Sequence, residues 1–287
     1  MVDLQTSIKS ILDSQPLSIN DCLEARSSIS EMVASNLDYS DFFKFTYTSN
    51  NHKVKAFLII PKKEGKYPCI IFNRGGSKEF GKLTPAYVLS FLGWYASQGY
   101  IVIASQYSGN DGGEGQDEFG GTDLYDVLNL KDILDQIPQA DTNNIFMMGV
   151  SRGAMMTYMA MAKVDWIKAG ATIGGRTNIM RSYDTRPELK EFRNDMYDIN
   201  SEEENIKRSV VYWTDKMSKN TPLLLLHGSA DEEVSVLDSL DLASELHKYN
   251  HPFALQIFKD GDHALTQYKK ERNRAVIEWF KSNMKPE

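Results

Sequence analysis

Cysteine is nearly absent: of 287 residues only Cys22 and Cys69 are cysteines, far apart and without metal-ligand spacing. A disulfide framework and a cysteine-built metal site are thereby excluded, and two reduced thiols are expected. No stretch is long and apolar enough to span a bilayer. The opening Met1-Val2-Asp3-Leu4-Gln5-Thr6 has neither the basic nor the apolar region of a secretory signal, so no membrane association and a cytoplasmic location are expected. Basic excess is missing too. With 32 Lys and Arg against 39 Asp and Glu, the net charge is −7, which argues against a nucleic-acid partner because counterion-driven binding needs basic patches. Internal repeats and low-complexity linkers are absent. What remains, 41% hydrophobic and 25% charged residues, suits one large α/β domain with a substantial core.

Along the chain, Leu4, Ile8, Ile11 and Leu12, then Leu23, Ile29, Met32 and Val33 after Pro16, recur at helical intervals. They predict a helical N-terminal extension over residues 1–40, covering the body or contacting a second subunit in a homo-oligomer. The rest, 41–287, reads as the main domain. Strands are expected at Phe43 to Thr48, Val54 to Ile60, Cys69 to Phe72, Ile101 to Ser105, Ile145 to Met148, Ala169 to Ile173, Pro222 to Leu226 and Phe253 to Phe258. Helices at Thr84 to Gln98, Thr122 to Ile137, Ala154 to Met161 and Thr266 to Phe280 alternate with them. Such alternation predicts a mostly parallel central sheet with helices on both faces.

Chemistry enters at Gly149-Val150-Ser151-Arg152-Gly153. A G-x-S-x-G match alone is weak in a chain of this length. Here it follows the turn Asp141-Thr142-Asn143-Asn144 and the strand Ile145-Phe146-Met147-Met148, and it precedes an apolar helix. That context is a nucleophile elbow. A serine held in a strained turn brings the residues two before and two after it too close for side chains, hence the glycines.

A nucleophilic serine needs a base and an orienting acid, in the chain order Ser, acid, His of the α/β-hydrolase fold. The strand ending at Leu226 opens into His227-Gly228-Ser229-Ala230-Asp231, and the last strand opens into Lys259-Asp260-Gly261-Asp262-His263. Loops at the carboxyl ends of parallel strands are where such folds gather chemistry, so Ser151, Asp231 and His263 are the catalytic candidates. Glu232, Glu233 and Asp262 lie near one member or another. Asp231 is preferred because the acid must reach the imidazole from a different loop than the base's own. His227 is expected to be structural, its imidazole bonded to neighbouring backbone.

Two backbone N–H groups are expected to hold the oxyanion: that of Arg152 after the nucleophile, and that of Arg74 or Gly75 in the loop after Phe72. Arg74 could also place its guanidinium near a substrate carboxylate or in a salt bridge. The acidic stretch Asp111 to Asp123 lacks EF-hand order, so no metal is expected there, and its glycines suit a wall of the crevice. The polar, irregular 176–220 segment, with Arg176, Arg181, Arg186 and Trp213, is expected to be a cap that sets substrate choice, Arg176 being the candidate contact.

Several separate pieces together resemble the catalytic domain of the prolyl oligopeptidase family, with its acylaminoacyl-peptidase and dipeptidyl-peptidase relatives. They are Asn73-Arg74-Gly75-Gly76, the Ser108-Gly109-Asn110-Asp111-Gly112-Gly113-Glu114-Gly115 loop, and Phe119-Gly120-Gly121-Thr122-Asp123-Leu124-Tyr125-Asp126-Val127. The elbow, His227-Gly228-Ser229-Ala230-Asp231 and Gly261-Asp262-His263 complete the set, which spans roughly residues 40 to 285. Two departures stand out. The family's N-terminal β-propeller is not found, and Arg74 stands where relatives often carry His or Tyr, so a Tyr hydroxyl cannot assist the oxyanion there. The resemblance implies an α/β-hydrolase fold with a small cap and a serine hydrolase acting through an acyl-enzyme on short peptides or acylated amino acids. A carboxylesterase or dienelactone-hydrolase-like enzyme is the alternative, and a non-catalytic binding protein on the same fold a further one. No cofactor is implied.

Overall fold

The computed structural model describes residues 13–18 and 30–285. Nine strands form one sheet in the order β1-β2-β3-β5-β4-β6-β7-β8-β9. They are β1 (Asp13–Pro16), β2 (Ser40–Ser49), β3 (His52–Pro61), β4 (Tyr67–Asn73), β5 (Ile101–Ser105), β6 (Ala140–Val150), β7 (Ile167–Ile173), β8 (Leu223–Gly228) and β9 (Phe253–Phe258). From β5 through β9 every pairing is parallel, while β1, β2, β3 and the β3–β5 junction are antiparallel. This is the α/β-hydrolase architecture the sequence leads one to expect.

Local chemistry accounts for the elements. β2 and β3 form a hairpin in which Ser49 pairs with His52. The two residues between them, Asn50 and Asn51, carry φ of 46° and 64°, the left-handed pair that a two-residue hairpin matched to strand twist requires. β5 and β8 are buried along their whole length. A parallel strand covered on both faces reads as a continuous apolar run for that reason. One core cluster packs the helices 124–134, 152–161 and 236–248 against one face, and a second packs 30–39, 85–97 and 269–282 against the other.

Three expectations need amending. The stretch 122–137 forms two short helices, Leu124–Leu128 and Leu130–Leu134, rather than one. The turn at Asp141 to Asn144 lies inside β6. There Pro68 pairs with Asp141 but Cys69 with Ile145, so residues 142–144 bulge out of the ladder. Most of the expected N-terminal helical region, including Leu4 to Leu12, Leu23, Ile29 and Cys22, lies outside the described residues. Within it, Asp13–Pro16 is an edge strand on β2 instead of helix, with Pro16 at its end where no ladder donor is lost. Ser30–Tyr39 is helical. Its Val33 is fully buried, and Asn36 Nδ2 donates to the carbonyls of Leu89 and Ser90, so this helix covers the body.

Candidate active site

The elbow has the strain its sequence implies. Ser151 sits between β6 and the helix Arg152–Met161 at φ 57°, ψ −118°, a region a non-glycine residue occupies at a cost of about 1–3 kcal/mol. Its N–H donates to Ile173 O at 2.9 Å, which ties the turn to β7. A Cβ on Gly149 would stand 2.1 Å from Gly153 O, and one on Gly153 would stand 1.9 Å from Asn73 O. Both glycines are therefore demanded by close backbone approach. The Arg152–Met161 helix packs on β6 and β7 through Ala154, Met155, Tyr158 and Met161, all buried.

Asp231 and His263 meet across two loops, with Nδ1 of His263 2.8 Å from Oδ2 of Asp231. The Asp231 side chain is fully buried. Burial pushes its carboxyl up, but hydrogen bonds from His227 and His263 outweigh that and hold it well below the usual carboxylate range. Its other oxygen accepts from the N–H groups of Glu233 and Val234, each at 2.9 Å. The three neighbouring acids are placed differently, Glu232 being exposed. Asp262 bonds Thr266 instead, and Glu233 Oε2 lies 3.9 Å from His263 Nε2 on the solvent side. Behind the imidazole, Gly174 at φ +55° leaves no room for a side chain, since a Cβ there would fall 2.9 Å from His263 Nδ1.

His227 is buried and does bond backbone, its Nε2 lying 2.9 Å from Val234 O, but the same nitrogen is 3.1 Å from Asp231 Oδ2. Two acceptors on Nε2 fix the proton there, leaving Nδ1 to accept from Ser239 Oγ at 2.7 Å. The link to Asp231 has no signature in the sequence. An i,i+4 spacing across an irregular loop carries no periodic signal.

Ser151, His263, Arg74, Gly75, Arg152 and Arg176 line one cavity of about 440 Å³. Among the described residues no hydrogen bond joins Ser151 Oγ to His263 Nε2, and such contacts commonly tighten only with substrate bound. Gly75 is packed against the nucleophile: a Cβ there would stand 3.3 Å from Ser151 Cβ. The Arg74 guanidinium is not available to a substrate carboxylate. Its five N–H groups donate to the carbonyls of Gly75, Lys78, Phe80 and, twice, Gln106, and it stacks on Tyr107. Among the described residues it forms no ion pair either, so its work is to shape the loop.

Arg152 has a second role that the motif does not reveal. Its side chain is buried, with Nη1 2.8 Å and Nη2 2.7 Å from the two oxygens of Asp117, and Nη2 2.6 Å from Asp123. Tyr107 and Phe119 flank the guanidinium. Burial would lower its pKa, but the two carboxylates raise it beyond that of a free arginine. The acidic loop thus braces the elbow, and Phe119 forms part of the cavity wall. The 176–220 segment folds into helices Ile179–Thr185, Glu188–Arg193 and Glu202–Lys207. It supplies Arg176, Arg186, Leu189, Phe192 and Arg193 to the cavity. Among the described residues no group of side chains is arranged to hold a metal ion, and no helix is long and apolar enough to cross a membrane.

The fold defines an α/β-hydrolase. Residues 87–287 match the model of the prolyl oligopeptidase family, and the chain belongs to that family of serine hydrolases. The uncharacterized peptidase YtmA of Bacillus subtilis is 28% identical over 245 residues, covering 84% of this chain and 93% of that protein. Dipeptidyl-peptidase 5 of Aspergillus oryzae is 25% identical over 249 residues, covering 77% of this chain and 32% of that protein. The solved acylaminoacyl peptidase of Pyrococcus horikoshii superposes with a TM-score of 0.73 at 25% identity, covering 86% of this chain and 42% of that one. The chain therefore spans less than half of the acylaminoacyl peptidase and about a third of the dipeptidyl-peptidase.

Proposed function

We propose that this chain is a peptidase of small substrates, acting on short peptides or acylated amino acids through an acyl-enzyme on Ser151. The observation that carries the reading is the 2.8 Å contact of His263 Nδ1 with buried Asp231, made beside a serine strained at φ 57° in the same cavity. Asp231, held ionised, keeps the imidazole proton on Nδ1, which leaves Nε2 with a lone pair toward the cavity. Ser151 Oγ attacks the scissile carbonyl while Nε2 takes its proton. The same proton then passes to the leaving amine or alcohol, and water repeats the sequence on the acyl-enzyme. The N–H of Arg152, with that of Gly75 or Arg74, binds the tetrahedral oxyanion. Losing one such donor costs about 2.7–4 kcal/mol of transition-state stabilisation.

A panel of acetyl and butyryl 4-nitrophenyl esters beside aminoacyl and N-acyl-aminoacyl 4-nitroanilides tests the reading. Both classes should turn over, esters faster because their leaving group departs without full protonation. Turnover of esters with anilides untouched at high enzyme concentration would replace the peptidase by a carboxylesterase. No turnover of either, with no fluorophosphonate labelling of the folded protein, would leave a binding protein on a hydrolase fold.

A further inference from the structure

The buried arginines of this chain divide into two kinds. Arg152 has Asp117 and Asp123, Arg208 has Glu204 and three backbone carbonyls, Arg272 has the Asn273 amide oxygen and the Ala264 carbonyl, and Arg74 has all five N–H groups engaged. Arg176 and Arg193 do not. They are 4% and 5% exposed, and among the described residues neither makes an ion pair. Nε of Arg176, and Nε and Nη1 of Arg193, are buried without a hydrogen-bond partner. Arg176 reaches Ser182 Oγ, while Arg193 lies against the faces of Phe119 and Tyr183, 4.3 and 5.8 Å from the ring centres.

Ring faces and two hydroxyls, that of Ser182 for Arg176 and that of Tyr183 for Arg193, are weak compensation for two buried like charges, which fold at low cost only with an opposite charge between them. Burial lowers both guanidiniums, Arg176 to about 10, and each is further lowered by a neighbouring arginine. Both line the cavity that holds Ser151 and His263, and Glu233 is the carboxylate among the described lining residues. Glu233 is exposed and stands beside His263 Nε2. Of the rest of this wall, Leu189, Phe192 and Phe119 are apolar, and Arg186 is paired with Glu188.

We propose that Arg176 and Arg193 form a subsite for a carboxylate carried by the substrate, which makes the site selective for acidic substrates with an apolar stem. The carboxylate belongs either to the acyl portion, as in a dicarboxylic or acidic aminoacyl group, or to the leaving portion, as in a peptide with a free C-terminus close to the scissile bond. The proposal rests on the hydrolase reading for its placement next to Ser151, but the binding itself does not require turnover.

Two substrate pairs and one binding measurement test it. N-succinyl-alanine 4-nitroanilide against N-acetyl-alanine 4-nitroanilide reads the acyl side, and Ala-Ala against Ala-Ala amide reads the leaving side. In one pair kcat/KM should favour the anion by about tenfold or more, with the ratio falling toward one in Arg176→Gln and Arg193→Gln. Glutarate should bind the Ser151→Ala protein by calorimetry while neutral pentanamide does not, and should protect wild-type Ser151 from fluorophosphonate. These wild-type measurements stand even if an arginine variant fails to fold. Turnover of the neutral substrates, with no anionic preference in either pair and no glutarate binding, overturns the subsite and leaves the hydrolase intact. Arginine-dependent glutarate binding without turnover of any substrate supports the subsite and removes the hydrolase reading instead.

Discussion

His227 and His263 share one oxygen atom: Nε2 of the first and Nδ1 of the second lie 3.1 and 2.8 Å from Oδ2 of Asp231. The acid is thus held from two sides, by an imidazole facing the cavity and by another sealed in the core. His227→Ala should lower kcat about tenfold with little change in KM, because one net hydrogen bond that aims the carboxylate is lost. Asp231→Asn should cost about four orders of magnitude, since the amide misorients the imidazole. Steady-state kinetics of both variants and of Glu233→Gln rank the roles. A Glu233→Gln protein slower than Asp231→Asn would move the acid to residue 233.

Ser151→Ala should abolish fluorophosphonate labelling and reduce hydrolysis by about three to six orders of magnitude. Mass-spectrometric mapping of the adduct on the wild-type protein checks the site. An adduct on any other serine would transfer the nucleophile's role to it.

The depressed carboxyl of Asp231 has a consequence for acid stability. Its folded pKa lies below the unfolded value of about 3.9, so the unfolded chain binds more protons as pH drops. Stability from this group is complete above about pH 4 and is lost as pH falls through the folded pKa. Thermal melts between pH 7 and pH 3 should show a decline below about pH 4 that is shallower in Asp231→Asn. Parallel curves for the two proteins would contradict the pairing.

Replacing Arg152 by Met keeps the backbone N–H beside Ser151 but strands Asp117 and Asp123 in the core. Breaking a buried pair from one side should cost about 3–5 kcal/mol, read as a lower urea midpoint. Restoring neutrality with Asp117→Asn and Asp123→Asn in the same protein should recover part of the loss. A single variant within about 1 kcal/mol of wild type would mean that the network is not supporting the elbow.

Gly174→Ala should impair turnover more than folding. The new methyl would press on the His263 ring and on its carbonyl, 2.6 Å away, at a backbone position with positive φ. A drop in kcat of tenfold or more, beside a change of about 1–2 kcal/mol in stability, is the expected pattern. The reverse pattern would place the strain in the fold.

Much of this architecture was legible from periodicity. Ile101–Ser105 and Phe253–Phe258 fall where the pattern puts them, since runs of β-branched and aromatic residues bounded by turns have few other uses. Residues 122–137 did not betray their break near Asn129, because an apolar stripe survives a small change of axis. In the site, residue types and chain order pointed to Ser151, Asp231 and His263. The contacts that tension them did not show: His227 to Asp231, Arg152 to Asp117 and Asp123, and the loss of Arg74 to carbonyl binding all depend on how separate loops meet. Arg193 carries no sequence signal for the same reason, its burial being a property of the folded cap and not of the charged stretch that carries it.

The dual attachment of Arg152 restricts how this catalyst can change. The x after serine in G-x-S-x-G is nominally a free choice, yet here it shares two carboxylates with a loop about thirty residues upstream. Replacing Arg152 alone leaves two carboxylates buried without their cation, whereas replacing one of Asp117 and Asp123 still leaves the guanidinium a partner. Change at 152 is therefore tied to change at 117 and 123, and a library that varies the elbow keeps more folded members when the two acids vary with it.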